Sequence, residues 1–517
     1  MTLYRWPVLV GLAALFAALL AAIIYTQHGL ALSHYDARAH LVVARRILDS
    51  LTPGWWQIGA VWLPLPHVIN LLPVQWDWSY RTGASAIAFS VVSMGVAAYA
   101  AAHLLQRATG SRLAGAATAA LLVTNASVLY LHATPMTEPL LIALAFVSVE
   151  RLDAWLRDPD MSTVTPGLAL VLLCLTRYEG WMLTAAALAI VALTLVLGAW
   201  SGIPSRRRGE GAPKSGRACD LLTPSRMNAG HRACAWAWVR LALWPAAAVI
   251  GFLCLSRATV GEWFVSSGFF VPDNPAKGEA SLVLEQIRDG LERLSSPAFA
   301  AFGGLGFVFV LARGLASRAD RSILVVLSLA AMAALPFLAF HAGHPLRIRY
   351  MTPLVASSAL FTGFAIGLTP PLARVVVAAV AAILIVPDLE PFDYTAPMIV
   401  EARREGPQQG QRRMVTDALK RQWDGTPILI SMGSLAHYMH DLGREGFDIG
   451  DFIHEGNGDI WEAAIVDPST QARFLIAEER AEGGDVFAHL LRDRSDVAAK
   501  FERIAAGGNV SLYRRIW

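Results

Sequence analysis

The sequence predicts a mainly helical, polytopic membrane bundle of about eleven spans, followed by a small soluble α/β domain. Three observations carry this. Of 517 residues, 55% are hydrophobic and only 16% charged, with a mean hydropathy of +0.46, whereas soluble domains carry about 25% charged residues. Apolar runs close to the roughly 20 residues that cross a bilayer recur through the first 388 positions. The charge is also divided: from residue 389 onward there are 15 Lys and Arg against 21 Asp and Glu, a net of −6, which leaves +9 for the first 388. That basic excess belongs to the apolar part and serves orientation, so no nucleic-acid partner follows from it.

Taken in order, Arg5 precedes an apolar run over 7–26 that is longer than a signal-peptide core, so it reads as a retained first helix, although Ala31-Leu32-Ser33 is a passable cleavage pattern. The predicted spans are 7–28, 82–104, 113–131, 138–155, 166–177, 180–200, 237–256, 297–315, 322–341, 349–369 and 372–387. The fifth and sixth meet in a hairpin, Thr176-Arg177-Tyr178-Glu179-Gly180, whose charges require a place near water. Counting arginines in alternate loops puts the N-terminus inside: Arg5, Arg107, Arg112, Arg151, Arg157, the basic loop 201–236, Arg313, Arg318, Arg321 and Arg374 share the cytoplasmic side. The loop 201–236 is rich in Gly, Pro and Arg and reads as disordered. Asp36, Glu138, the 176–180 hairpin, the 257–296 loop and residues 341–349 then share the outer face, and chemistry is expected there. Of the four cysteines, Cys174 and Cys254 lie in apolar runs and Cys219 and Cys234 in the polar loop; without a CxxC, neither a disulfide framework nor a zinc site is predicted.

The soluble domain is expected over 389–517, outside the membrane. Pro427–Met432 reads as a buried strand leading into a helix over 435–443 with Ser434 as N-cap. Ala472–Ala477 reads as a second strand and Val486–Arg492 as a helix. Phe501–Ala505 and Asn509–Ile516 read as a hairpin around Gly507-Gly508. The stretch MGSLA lacks the spacing of a phosphate-binding glycine loop.

The chemistry-bearing residues concentrate in the first outer loop, 29–81. Asp36 and His40 stand at i and i+4, on one face of any helix formed there. A carboxylate at a membrane surface can serve as general base or as part of a divalent-metal site, or simply favour a helix N-terminus. Glu138 follows Thr137 and precedes Pro139, so helix initiation alone explains it. Arg177 and Glu179 are either a mutual ion pair or a place for an anionic ligand. His341, His344, Arg347, Arg349 and Tyr350 form a dense polar group at an outer helix end. Arginine suits phosphate because its planar fork donates two bonds at once, though headgroup-level arginines also snorkel. Trp55, Trp56 and Trp62, with His67 close by, are interface anchors or stacking surfaces for sugar rings.

The segments HYDARAH, VWLPLPH, TPMTEPLL, TRYEGW and RIRYMTPL, and their common sidedness, resemble the GT-C fold membrane glycosyltransferases. Within that class the chain is similar to protein O-mannosyltransferases and lipid A aminoarabinose transferases, in a poorly characterised prokaryotic branch. The resemblance covers roughly residues 1–390. It implies an inverting hexosyl- or pentosyltransferase of the plasma membrane, which moves a sugar from a polyprenyl-phosphate donor to a lipid, glycan or protein acceptor. It further implies Asp36 as catalytic base or metal-site member, Glu138 as a second catalytic acid, and Arg347, Arg349 or both at the donor phosphate; the residues around them add Arg177 and Tyr350 at that phosphate and a substrate cavity of His40, Trp55, Trp56, Trp62, His67, Glu179, His341 and His344. Many relatives have two adjacent acids at the first motif, where this chain has Asp36 and then Ala37. A divalent cation (Mg or Mn) would therefore rest on Asp36 with His40 in the second role. The rival readings are a transporter or flippase of lipid-linked substrates, which calls for mid-membrane charge and pseudo-symmetric repeats, and a non-catalytic envelope-assembly protein.

Overall fold

The structure, a computed structural model, describes residues 2–158, 162–199, 224–263, 274–404, 406–481 and 483–516 and is 73% helical. All eleven apolar segments are helical, but eight are long and apolar enough to cross a membrane: Arg5–Gln27, Ala84–Thr109, Glu179–Val196, Ala235–Val260, Pro297–Ala316, Arg318–His341, Ile348–Gly367 and Pro371–Asp388. Arg112–Thr124 and Val164–Cys174 are shorter. The run 113–131 breaks at Asn125, whose side chain accepts from Val128 N at 2.9 Å and donates to Leu294 O at 2.6 Å. Glu138–Arg157 has the length but carries Glu150, Arg151 and Asp153 in its body. Of the predicted loop 201–236, residues 201–223 lie outside the described residues, and the rest belongs to a helix that runs from Pro224 to Val260. The predicted 257–296 loop contains the helix Ala280–Leu294.

The helix Thr352–Gly367 forms the axis of the bundle and is buried along its whole length. Small residues let its neighbours approach: a Cβ on Gly306 would lie 1.8 Å from Phe361 O, the close backbone contact that drives helix association in lipid.

The second unit is a five-stranded sheet in the order β2-β1-β3-β5-β4. Strands β1 (Ile428–Ile430), β2 (Phe452–Ile453) and β3 (Phe474–Glu478) are parallel; β4 (Phe501–Gly507) and β5 (Val510–Arg515) form the predicted hairpin, antiparallel to β3. After β1 a helix runs over Met432–Arg444 with a kink at Leu435, and its N-cap position is Ser431. Ser434 does not cap it; its hydroxyl donates to Asp485 at 2.5 Å. The two-residue β2 is too short to show a period in the sequence.

The packing divides the chain elsewhere than at residue 388. Met398, Ile399 and Ala402 join the core of the bundle. Leu41, Val42 and Val43 of the Tyr35–Arg45 helix instead share a core with Leu419, Ile428 and Met439. Polar contacts reinforce that seam. Arg38 donates to Asp441 at 2.6 Å, Gln57 to Gly456 O at 2.8 Å, and Gly450 N to Asp49 at 2.9 Å. The sheet domain is thus docked on loop 29–81, at one end of the bundle.

Candidate functional site

The Tyr35–Arg45 helix starts on an imidazole. His34 Nδ1 accepts from Asp36 N at 3.1 Å, so its proton sits on Nε2, which donates to Glu401 Oε1 at 3.3 Å. This cap fixes Asp36 in the first turn, 7% exposed, with its carboxylate against the Arg349 guanidinium. Burial pushes the Asp36 pKa up, but the attraction of Arg349, aided by Arg347, outweighs it and holds the group below the usual carboxylate range.

From Arg349 the charges continue as a line. Its Nε lies 3.9 Å from Glu138, Glu138 lies 3.1 Å from Arg177 Nη1, and Arg177 Nη2 donates to Glu179 at 2.8 Å. Arg177 also donates to Thr137 Oγ1 at 2.9 Å. Two tyrosines flank the cations: Arg349 stands 5.9 Å from the Tyr35 ring centre and 5.7 Å from that of Tyr350, Arg347 5.9 Å from Tyr35, and Arg177 6.0 Å from Tyr350. Such placements over ring faces favour the charged form of arginine. The contacts at the centre are close without being aligned. Among the described residues, both Glu138 oxygens and Arg349 Nε are buried with no hydrogen-bond partner, while Arg349 Nη1 meets Asp36. Buried polar atoms are seldom left so.

A second group lies beside the line. His67 Nδ1 donates to Leu63 O at 3.1 Å, so its Nε2 accepts from His40 Nδ1 at 3.2 Å. The Trp62 ring centre is 4.1 Å from that of His40 and 5.9 Å from that of His67. Burial, then the Arg46 charge, lowers His67 to about 3, and burial and His67 hold His40 well below its ordinary value; both are neutral. Against them is a cavity of about 30 Å³ bounded by His40, His67, Asn70, Ser90 and Thr137, enough for one or two waters. Thr137 connects the two groups, since it also binds Arg177.

The structure therefore brings together Asp36, Glu138, Arg177, Glu179, Arg349 and Tyr350, with Arg347 at the edge and His40, His67 and Trp62 alongside. His341 stacks on Phe337 at 5.9 Å, and its carbonyl accepts from Gly278 N. The His344 ring is 5.6 Å from that of Tyr350. Trp55 and Trp56 stand apart from the cavity at 56% and 51% exposure. A cation shared by Asp36 and His40 does not fit this arrangement. The Asp36 carboxylate lies on Arg349 and His40 Nδ1 on His67, and among the described residues no group of three or more His, Cys, Asp and Glu gathers to hold a metal.

Three participants escaped the sequence: His34, Tyr35 and Glu401. The first two adjoin Asp36 and share the stretch that marked it, so adjacency was the available signal. Glu401 sits 367 residues from its partner His34, and no local pattern points to it. No family model matches the chain, and no curated protein matches it.

Proposed function

We propose that the protein is a membrane glycosyltransferase that moves a sugar from a polyprenyl-phosphate donor to an acceptor hydroxyl or amine at the extracytoplasmic face, with inversion. The observation that carries this reading is the buried line Asp36–Arg349–Glu138–Arg177–Glu179 at one end of an apolar bundle. A donor with a lipid anchor suits a site beside the bilayer, and the arginine distribution argues that this end faces out.

The under-bonded Arg349 supplies the coupling. A donor phosphate engaging Arg349 and Arg347, with Arg177 behind them, offers the guanidinium a bidentate partner and draws it from Asp36. Without that cation the buried carboxylate gains proton affinity, so Asp36 becomes a competent base once the donor is seated. It takes the acceptor proton as the acceptor heteroatom bonds to the anomeric carbon. The bond from that carbon to the phosphate oxygen breaks, and the electron pair leaves with polyprenyl phosphate, whose charge the arginines stabilise. Glu138, between Arg177 and Arg349, sets their spacing. The His40–His67–Trp62 wall offers a stacking face and a neutral imidazole to a sugar.

The test is Asp36→Asn in purified protein supplied with polyprenyl-phosphate sugars, read as product formed. Transfer should fall by at least about 100-fold, the usual contribution of a general base, while donor binding persists; wild-type turnover would sink the proposal. A flippase reading is less favoured, because the charges named above gather at one end of the bundle.

A further inference from the structure

The other end of the bundle holds a second polar recess. Between the end of Ala84–Thr109 and the turn that joins Thr352–Gly367 to Pro371–Ile385 lies a crevice of about 270 Å³, lined by Thr109, Arg313, Thr369, Pro370 and Arg374 among others. It is separated from Arg349 by the length of the Thr352–Gly367 helix, about 24 Å, and shares no residue with the site described above.

Arg374 is built into this crevice. Its Nε donates to Thr369 O and its Nη2 to Thr109 O, each at 2.9 Å. These bonds hold the guanidinium in place through Nε and Nη2. On the opposite wall Arg313 binds Asp320 at 2.7 Å through Nη2 and remains 56% exposed. A snorkelling arginine would extend toward water; Arg374 instead turns back onto two carbonyls. The outward faces of the two helices that carry these arginines are apolar and exposed: Leu311 and Leu315 on Pro297–Ala316, and Leu372 (90% exposed), Val375 and Val376 on Pro371–Ile385. The ligand that matches both halves carries an anionic head and a hydrocarbon tail.

We propose that this crevice takes the phosphate of an anionic lipid headgroup between Arg313 and Arg374, with the lipid chains along Leu311, Leu315, Leu372, Val375 and Val376. Arg374, held by its two carbonyls, and Arg313, which turns from Asp320 to the ligand, recognise the phosphate by charge-assisted hydrogen bonds, as basic pockets between membrane helices do. Nothing in this inference depends on transferase activity.

The full chain, purified in neutral detergent, is titrated with phosphatidylglycerol, with phosphatidylcholine and with inorganic phosphate while the thermal midpoint is followed. Phosphatidylglycerol should raise the midpoint saturably; the other two should not. Arg313→Gln changes an exposed side chain and should weaken half-saturation about tenfold, the loss of one charge-assisted contact. Arg374→Lys should do the same, since it keeps the charge and removes the fork. Arg347→Gln, at the opposite end, should leave the response unchanged. Equal responses in wild type and both crevice variants would overturn the site, as would loss of the response in Arg347→Gln alone. Stabilisation by inorganic phosphate equal to that by the lipid would reassign the crevice to a free anion and overturn the lipid assignment.

Discussion

The helix Glu138–Arg157 carries a cluster of buried charge at each end, and the two clusters are finished differently. Near its C-terminus every carboxylate oxygen is met. Arg107 donates to Glu150 at 2.5 Å and to Asp153 at 2.9 Å, Arg151 lies 3.1 Å from Glu150, and Arg157 lies 3.1 Å from Asp153. At the N-terminus Glu138 sits between Arg177 and Arg349 with neither oxygen hydrogen-bonded. A closed network of this kind rigidifies the fold, whereas an incomplete one keeps polar atoms in a costly state. Buried charge is thus finished in two different ways within about 18 Å of one helix axis: a closed network at one end and an incompletely bonded one at the other.

The contrast can be broken by mutation. Arg107→Leu removes the cation that Glu150 and Asp153 share and leaves each with one partly exposed arginine, Arg151 and Arg157, so it should cost about 3 kcal/mol, the low end for a broken buried pair, seen as a large drop in unfolding midpoint or loss of folded protein. Glu138→Gln leaves Arg177 on Glu179 and Arg349 on Asp36, so it should cost no more than about 2 kcal/mol, nearer one hydrogen bond than a broken network, while transfer falls at least about tenfold. Equal destabilisation by the two would erase the distinction.

Acid sharpens it from another side. His40, His67, His437, His440 and His454 are all buried, with pKa values driven below the ordinary 6.5, His67 to about 3 and His440 to about 4. Below pH 6.5 the unfolded chain takes up protons that these folded imidazoles refuse. Stability should therefore fall as pH drops from about 6.5 toward 3, by up to about 1.4 kcal/mol per pH unit for each group. His67→Gln should flatten that slope in a pH series of melting curves; an unchanged slope would place the acid sensitivity elsewhere. The smallest effect belongs to the exposed indoles. Trp55→Ala should move stability by no more than about 0.5 kcal/mol and leave transfer intact, and a large loss of activity would return Trp55 to the substrate cavity.

Much of this was legible in the chain, and the reasons are physical. Eleven apolar runs marked eleven helices because hydrophobic length is written locally. Eight of them meet the length and apolarity of a span; of the other three, Asn125 breaks one run, Val164–Cys174 is a short helix, and Glu138–Arg157 carries Glu150, Arg151 and Asp153. Arginine sidedness grouped Asp36, Glu138, Arg177 and Arg349, and the structure places them in contact. Partner choice was not legible: that Asp36 meets Arg349, and His40 meets His67, depends on how separate helices cross. Glu401 was hidden for the same reason, as was the docking of the sheet domain onto loop 29–81.

That docking sets a schedule for biogenesis. The Tyr35–Arg45 helix emerges among the first segments made, yet the core around Leu41, Val42 and Val43 is complete only when Leu419, Ile428 and Met439 have been translated. At roughly 5–20 residues per second the gap is on the order of tens of seconds. For that interval a sticky apolar face waits at the membrane surface, and a nascent chain stalled before residue 406 should be a better substrate for chaperones and surface proteases than the finished protein.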